Sequence, residues 1–188
     1  MKIGIINNAV LVRRALGLIA TLALAVPAFA ALDLAGTSWT LNGTGRGKVT
    51  GSPNAGDRTS ATLTFAPEGT SCLLAVSSSN NSLPVDVSCN ANLCLPCQWE
   101  ATGEKGFTLQ FDDAASTEAV RNLLRASVPP QLADLVTVDL KSDKAQGAVT
   151  KNGKMLLKGT LKADISVPNA KFQRQLMYRF TLSGAATP

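Results

Sequence analysis

The chain has 188 residues, with 18 basic and 13 acidic side chains, four cysteines, nine aromatic residues and no histidine. The missing imidazole excludes Ser-His-Asp and Cys-His nucleophilic sites and histidine-ligated metal centres. The thin aromatic content excludes a base-stacking nucleic-acid surface, so the formal charge of +5 needs another reading.

That reading starts at the N-terminus. Lys2, Arg13 and Arg14 precede an uncharged apolar run from Ala15 to Val26, followed by Pro27 and Ala28-Phe29-Ala30. This is the order of a cleavable secretory signal, predicting removal of residues 1–30 and a mature chain that begins at Ala31. Twelve apolar residues fall short of the roughly 20 that a spanning helix needs, so no transmembrane anchor is expected. The residue after the predicted cleavage site is Ala31, so the mature N-terminus offers no thiol to a lipid. The product is expected in the periplasm or outside the cell. The remainder carries 15 basic against 13 acidic groups, unevenly: residues 31–140 have a net charge of −5 and residues 141–188 of +7. The basic stretch 141–179 offers a surface to an acidic protein or an anionic surface. About 158 residues make one domain, 31–188, able to bury roughly 70% of its unfolded surface.

Alternation with period two then predicts strands along the chain. The first, Trp39 to Val49, contains LNGTGRGKV, whose glycines suggest a phosphate loop. A P-loop requires Gly, four residues, then Gly-Lys-Ser/Thr. Here Asn42 stands five before Gly47 and Val49 follows Lys48, so the motif fails at both ends. What fits is parity: Trp39, Leu41, Gly43, Gly45, Gly47 and Val49 share a face, predicting a barrel wall from which bulk is removed where it bends or where a side chain presses close. Asn42-Gly43-Thr44 and Asn80-Asn81-Ser82 are glycosylation sequons, relevant only in a eukaryotic secretory pathway. Further short runs follow at Ala61 to Phe65, Cys72 to Val76, Leu83 to Cys89, Cys97 to Thr102 and Phe107 to Phe111.

Four cysteines in an exported chain predict two disulfides. Cys72 and Cys89 are centred on SSSNNS, so a hairpin there pairs them, with Cys94 to Cys97 as the second bridge; Cys72 to Cys97 with Cys89 to Cys94 is the rival. Cys94-Leu95-Pro96-Cys97 has redox-motif spacing but leads into a strand, not the helix start that lowers a thiol pKa. Four thiolates at this irregular spacing do not predict zinc, and no cofactor or metal is expected.

A helix is predicted over 115–126, from Ala119, Val120, Leu123 and Leu124 at helical spacing, with Asp113 or Ser116 as cap and Pro129-Pro130 as stop. It would plug a gap in the sheet or cover an open end. Strands resume at Leu135 to Lys141 and Lys144 to Thr150. The Asn152-Gly153 pair is a strong hairpin signal, because both residues tolerate positive φ. The strand Lys154 to Val167 follows, and then Phe172 to Leu182. Ten candidate strands predict a mainly β protein: a single antiparallel meander barrel of about 8–10 strands with one accessory helix.

DLAGTSWTL, residues 33–41, resembles the glycine-and-tryptophan opening of lipocalin-like (calycin) barrels. With TLTFAPEG, residues 62–69, it is also similar to the start of META-type domains of bacterial envelope proteins. The Gly36 to Trp39 spacing is one residue longer than the lipocalin form. The resemblance implies that Trp39 closes one barrel end beneath a basic residue of the last strand, Arg174 by parity or else Arg179.

No catalytic residue is expected; Asp112 and Asp113, adjacent in sequence, suit a helix start better than a carboxylate pair. The expected function is an exported non-catalytic barrel that binds a small apolar ligand inside, lined by Leu63, Phe65, Val87, Trp99, Leu109, Phe111, Leu157, Leu161, Tyr178 and Phe180. The alternative is an envelope or extracellular interaction module with a solid core and basic outer strands. A small outer-membrane barrel is disfavoured by the scarcity of aromatic girdle residues and by the terminal GAATP. Interior volume separates the first two, because small-molecule sites span ~300–1,000 Å³.

Overall fold

The computed structural model describes residues 32–51, 55–79, 85–125, 135–167 and 172–188. The predicted signal and its cleavage site, the Asn80 sequon and the Pro129-Pro130 stop lie outside the described residues.

Eight antiparallel strands run in chain order and close on themselves. They are β1 (Ser38–Val49), β2 (Ala55–Phe65), β3 (Ser71–Ser78), β4 (Leu93–Ala101), β5 (Gly106–Phe111), β6 (Thr137–Val149), β7 (Lys154–Val167) and β8 (Phe172–Ala186), with one helix, α1 (Asp113–Arg125), between β5 and β6. Closure is made by β8 on β1, in register from Trp39 with Ala186 to Val49 with Leu176. A closed ring leaves no strand edge to pair with another chain. The alternating pattern of the sequence becomes inside and outside: on β7, Met155, Leu157, Leu161, Ala163 and Ile165 are buried, while Lys154 and Lys158 are exposed.

Two of the ten expected strands are absent as separate elements, for different reasons. The runs 135–141 and 144–150 are a single strand, β6, with a bulge between Leu140 and Ser142. Before the bulge Val138 and Leu140 oppose inward residues of β7; after it Asp143 and Ala145 do. An inserted residue flips the parity, which in sequence looks like two strands. The run Leu83 to Cys89 is described only from residue 85, and residues 85–89 form no strand. Its described part forms only an isolated bridge between Asp86 and Ala91, with Asn90 at φ +52°. The Asp86 carboxylate accepts a hydrogen bond from the Ser88 amide at 2.9 Å, a local turn that competes with extended pairing.

The preferred disulfide pairing is overturned by the same feature. β3 pairs with β4, so the residue opposite Cys72 is Cys97. The bridges are Cys72–Cys97, with Cα atoms 4.8 Å apart, and Cys89–Cys94, at 6.0 Å. This register sets Leu74 against Leu95 and Val76 against Leu93, as apolar a match as the hairpin centred on SSSNNS, and it alone lets β4 continue onto β5. Pro96 is tolerated within β4 because its side of the chain faces α1, where its carbonyl accepts from the Asp112 amide at 2.9 Å, and not the β3 ladder.

The Asn152-Gly153 hairpin is present, joining β6 to β7. Among these residues only Gly153 has positive φ, +69°, and its amide donates to the Thr150 carbonyl at 3.0 Å. That is a three-residue loop, a type I turn followed by a left-handed glycine, between the strand ends expected at Thr150 and Lys154.

The helix occupies a gap in the wall. β5 is short, reaching only Cys97 to Ala101 of β4 and Lys144 to Ala148 of β6. Beyond it, α1 packs between β4 and β6. Val120 is buried with Val136 and Val138, and Ala119 packs against the other half of the core. It is therefore a plug in the side wall. Its cap is Asp112, whose carboxylate accepts from the Ala115 amide at 2.7 Å. Asp113 falls inside the first turn, and Ser116 is fully buried.

Candidate functional site: barrel interior and outer wall

The interior is built from the inward residues of all eight strands. Of the expected lining, Leu63, Phe65, Leu109, Phe111, Leu157 and Leu161 are buried, and Trp99, Tyr178 and Phe180 are half-buried against the core. Val87 does not line it: at 94% exposure it lies outside the wall, because its segment is a turn. Phe65 makes edge-to-face contacts with Trp99 at 5.6 Å and Phe107 at 5.8 Å, the geometry the ring quadrupole favours.

The glycines explain how closely this interior is filled. A Cβ added at Gly45 would lie 1.8 Å from the Tyr178 hydroxyl, at Gly159 2.1 Å from the Phe180 ring, and at Gly147 2.0 Å from the Phe107 ring. Each inward ring is laid across a neighbouring strand where no side chain stands. A cavity of about 30 Å³ is left beside Tyr178, bordered by Thr59, Asp143, Thr160, Phe111, Phe180 and others. That is space on the scale of a single water molecule.

A polar layer adjoins this cavity. The Tyr178 hydroxyl and the buried Thr59 hydroxyl are 3.3 Å apart. Burial pushes the Tyr178 pKa up, partly offset by Thr59 and reinforced by the charge of Asp57. Asp57 is itself held by the Ser78 and Ser79 hydroxyls. Asp143, on β6, is 6% exposed, and its Oδ2 has no hydrogen-bond partner. Burial first, and then the charge of Asp113 at the start of α1, hold its carboxyl above the usual carboxylate range, with Ser116 acting in the opposite direction.

Trp39 is the second residue of β1 and belongs to the buried core. It is 6% exposed, and its indole donates to the Thr37 hydroxyl at 3.0 Å. The turn that delivers it uses Gly36 at φ +70°, whose amide donates to the Ala66 carbonyl. Neither basic residue implied for it lies beside it. Trp39 faces Ala186 of β8, whereas Arg174 lies twelve residues away at the other end of that strand, exposed, with its guanidinium beside Gly51. Arg179 points outward opposite Arg46. Parity placed Arg174 on the right face, but strand length put it at the wrong end.

The outer wall holds what the sequence reading only half found. Three adjacent cross-strand rows can be followed through the register. One reads Arg58, Thr44, Thr181, Lys158, Gln146; the next Gly56, Arg46, Arg179, Thr160, Lys144; the third Lys48, Met177, Lys162, Ser142. Seven of these fourteen positions are Lys or Arg and none is acidic. None of the seven makes an ion pair among the described residues. At one margin Asp57 shares a depression with Arg46 and Arg58 while accepting from the Ser78 and Ser79 hydroxyls; at the other, Asp139 and Asp164 meet Lys141. A shallow depression of about 470 Å³ lies within it, lined by Arg46, Lys48, Arg179, Met177, Thr44 and Thr181 among others. Arg46, Lys48 and Arg58 come from the half of the chain with net negative charge, so a charge count by halves misses them. The signal was the opposite parity of the glycine strand, Thr44-Arg46-Lys48. A second depression, of about 780 Å³, lies outside the barrel between residues 85–96 and α1. Among the described residues no group of three or more potential metal ligands comes together, and no helix is long and apolar enough to cross a membrane. No protein-family model matches the chain, and no curated protein matches it in sequence.

Proposed function

We propose that the protein is an exported, non-catalytic interaction module: a solid barrel whose basic outer strands dock an anionic partner in the periplasm or outside the cell. The observation that carries this reading is the interior cavity of about 30 Å³, an order of magnitude below the ~300 Å³ at which small-molecule sites begin. The likeness to lipocalin-like and META-type barrels is then one of architecture, without the ligand chamber. Two disulfides fit an oxidising, non-cytoplasmic compartment. A membrane-embedded barrel is disfavoured because its outer band must be apolar, whereas Arg46, Lys48, Arg179 and Lys158 stand on this one.

Native mass spectrometry of protein purified at low salt from its own envelope tests the reading. We expect a mass beginning at Ala31, free of small apolar molecules, and a polyanionic partner released as salt is raised. A stoichiometric apolar compound that stays bound through the salt wash would overturn it.

A further inference from the structure

Resting on that reading, we propose that the partner is a linear acidic polysaccharide wrapped around the barrel across β2, β1, β8, β7 and β6. The argument is geometric. These five strands are consecutive in a closed ring of eight, so the outward directions at β2 and β6 differ by half a turn. A flat anionic bilayer reaches only the two or three strands that face it. A flexible chain can follow the curve and meet Arg58, Arg46, Arg179, Lys158 and Lys144 in turn. Adjacent strands are spaced about 4.8 Å apart, a distance on the order of one sugar residue.

Composition narrows the chain's chemistry. Between the cations stand Thr44, Thr181, Thr160, Ser142 and Gln146, which donate to and accept from sugar hydroxyls as readily as from water. No aromatic residue occupies the three rows, so nothing there stacks a base, which argues against single-stranded nucleic acid. Arg46 and Arg179 stand directly opposite each other with no carboxylate between them. Like charges so placed repel unless a shared anion lies over both, and two guanidinium forks side by side suit the carboxylates of a uronic acid chain.

The test uses the mature, disulfide-bonded protein with polygalacturonate fractions of graded length as probe. Neutral dextran, phosphatidylglycerol vesicles, polyglutamate and single-stranded DNA are the comparisons. Affinity for polygalacturonate should rise with chain length until the half-turn is spanned and then level off. Between 50 and 200 mM salt, about five contacts should cost roughly 100-fold in affinity by counterion release. R46E/R179E should weaken binding at least about tenfold, and Lys158→Gln with Lys162→Gln should do so more mildly, while Lys105→Glu, in the β4–β5 turn, should change nothing. Thermal melts of each variant verify folding, and the Gln pair supplies the answer if the reversal does not fold. Vesicles, polyglutamate or DNA bound through these residues as tightly as the polysaccharide, or more tightly, would overturn the polysaccharide assignment and leave the docking reading standing. No binding to any polyanion at low salt would overturn both.

Discussion

Gly45→Ala is the sharpest probe of whether the barrel is truly filled. Gly45 is not among the glycines with positive φ, so alanine suits its backbone. Taken alone, the substitution should stabilise by about 0.4–1 kcal/mol through the unfolded chain. The structure reverses that sign. The new methyl would lie 1.8 Å from the Tyr178 hydroxyl and 2.5 Å from its Cζ, and the ring has little room to retreat. Its centroid is 6.4 Å from that of Phe180, and the adjoining cavity is only about 30 Å³. Overpacking costs about 1–3 kcal/mol, and losing the Thr59 to Tyr178 hydrogen bond adds about 0.5–1.5 kcal/mol. Against the backbone gain, the net loss is about 0.5–4 kcal/mol, centred near about 2 kcal/mol. At about 2–4 °C per kcal/mol for a domain of this size, that central value lowers Tm by about 4–8 °C. Urea and thermal unfolding of the disulfide-intact protein measure this directly. Repeating Gly45→Ala in a Tyr178→Leu background should bring the cost below about 0.5 kcal/mol, because the two positions are in contact. A Gly45→Ala protein as stable as the parent, or one equally destabilised without the tyrosine, would refute the packed interior. The choice between a docking wall and a ligand chamber would then reopen.

The remaining predictions concern the staples and the polar layer. Cys72–Cys97 spans 25 residues and Cys89–Cys94 spans 5; chain-entropy scaling gives about 3.5 and about 2 kcal/mol, so Cys-to-Ser replacement of the first pair should be the more damaging. Non-reducing peptide mapping should recover these pairs and not Cys72 with Cys89. Because the Asp143 pKa is raised in the folded state, folding takes up a proton. Stability from this group is greatest at low pH, falls as pH rises from the ordinary 3.8 through the folded value, and stays lower above it. Asp143→Asn should therefore raise Tm at neutral pH and flatten the acid side of the stability profile; a variant less stable at neutral pH would contradict the burial argument. Tyr178 is the sole tyrosine, so phenolate absorbance reports it alone. Its titration should run above 10.0 in the folded protein and return to that value in denaturant; an unshifted native titration would place it in solvent.

Much of this architecture was legible in the residues. The long alternation of β7, the helix at Ala119 to Leu124 and the inward glycines of β1 are local patterns, and each formed where local physics put it. What was hidden depended on partners far along the chain. Val85 and Val87 alternate as well as Leu93 and Leu95 do, and both sets present apolar residues to Leu74 and Val76. The choice between them is made by β5, which pairs Cys97 with Phe111 and Trp99 with Leu109 and so commits 93–101 to the wall. The bulge after Leu140 misled in the other direction, because one inserted residue changes the phase of a strand without ending it. Arg174 shows the same limit: parity assigns a face, but only register says how far along the barrel a residue sits.

Register also explains why the interior is filled. An eight-stranded barrel is wide enough either to be filled by side chains or to hold one small ligand. Here the outcome turns on large rings set opposite glycines, as with Phe107 and Gly147 or Phe180 and Gly159. Wherever one strand gives up a side chain, its neighbour sends a ring across the gap, and the central space closes. The lysines of β7 can be seen one strand at a time. Their alignment with Arg46, Lys48 and Arg58 exists only after β8 has closed on β1. Directly opposed like charges cost roughly 0.2–1 kcal/mol on a sheet, and no carboxylate offsets that cost in the three rows. A packed interior with two disulfides can carry such a penalty, and an anionic chain lying over the rows would turn it into binding energy.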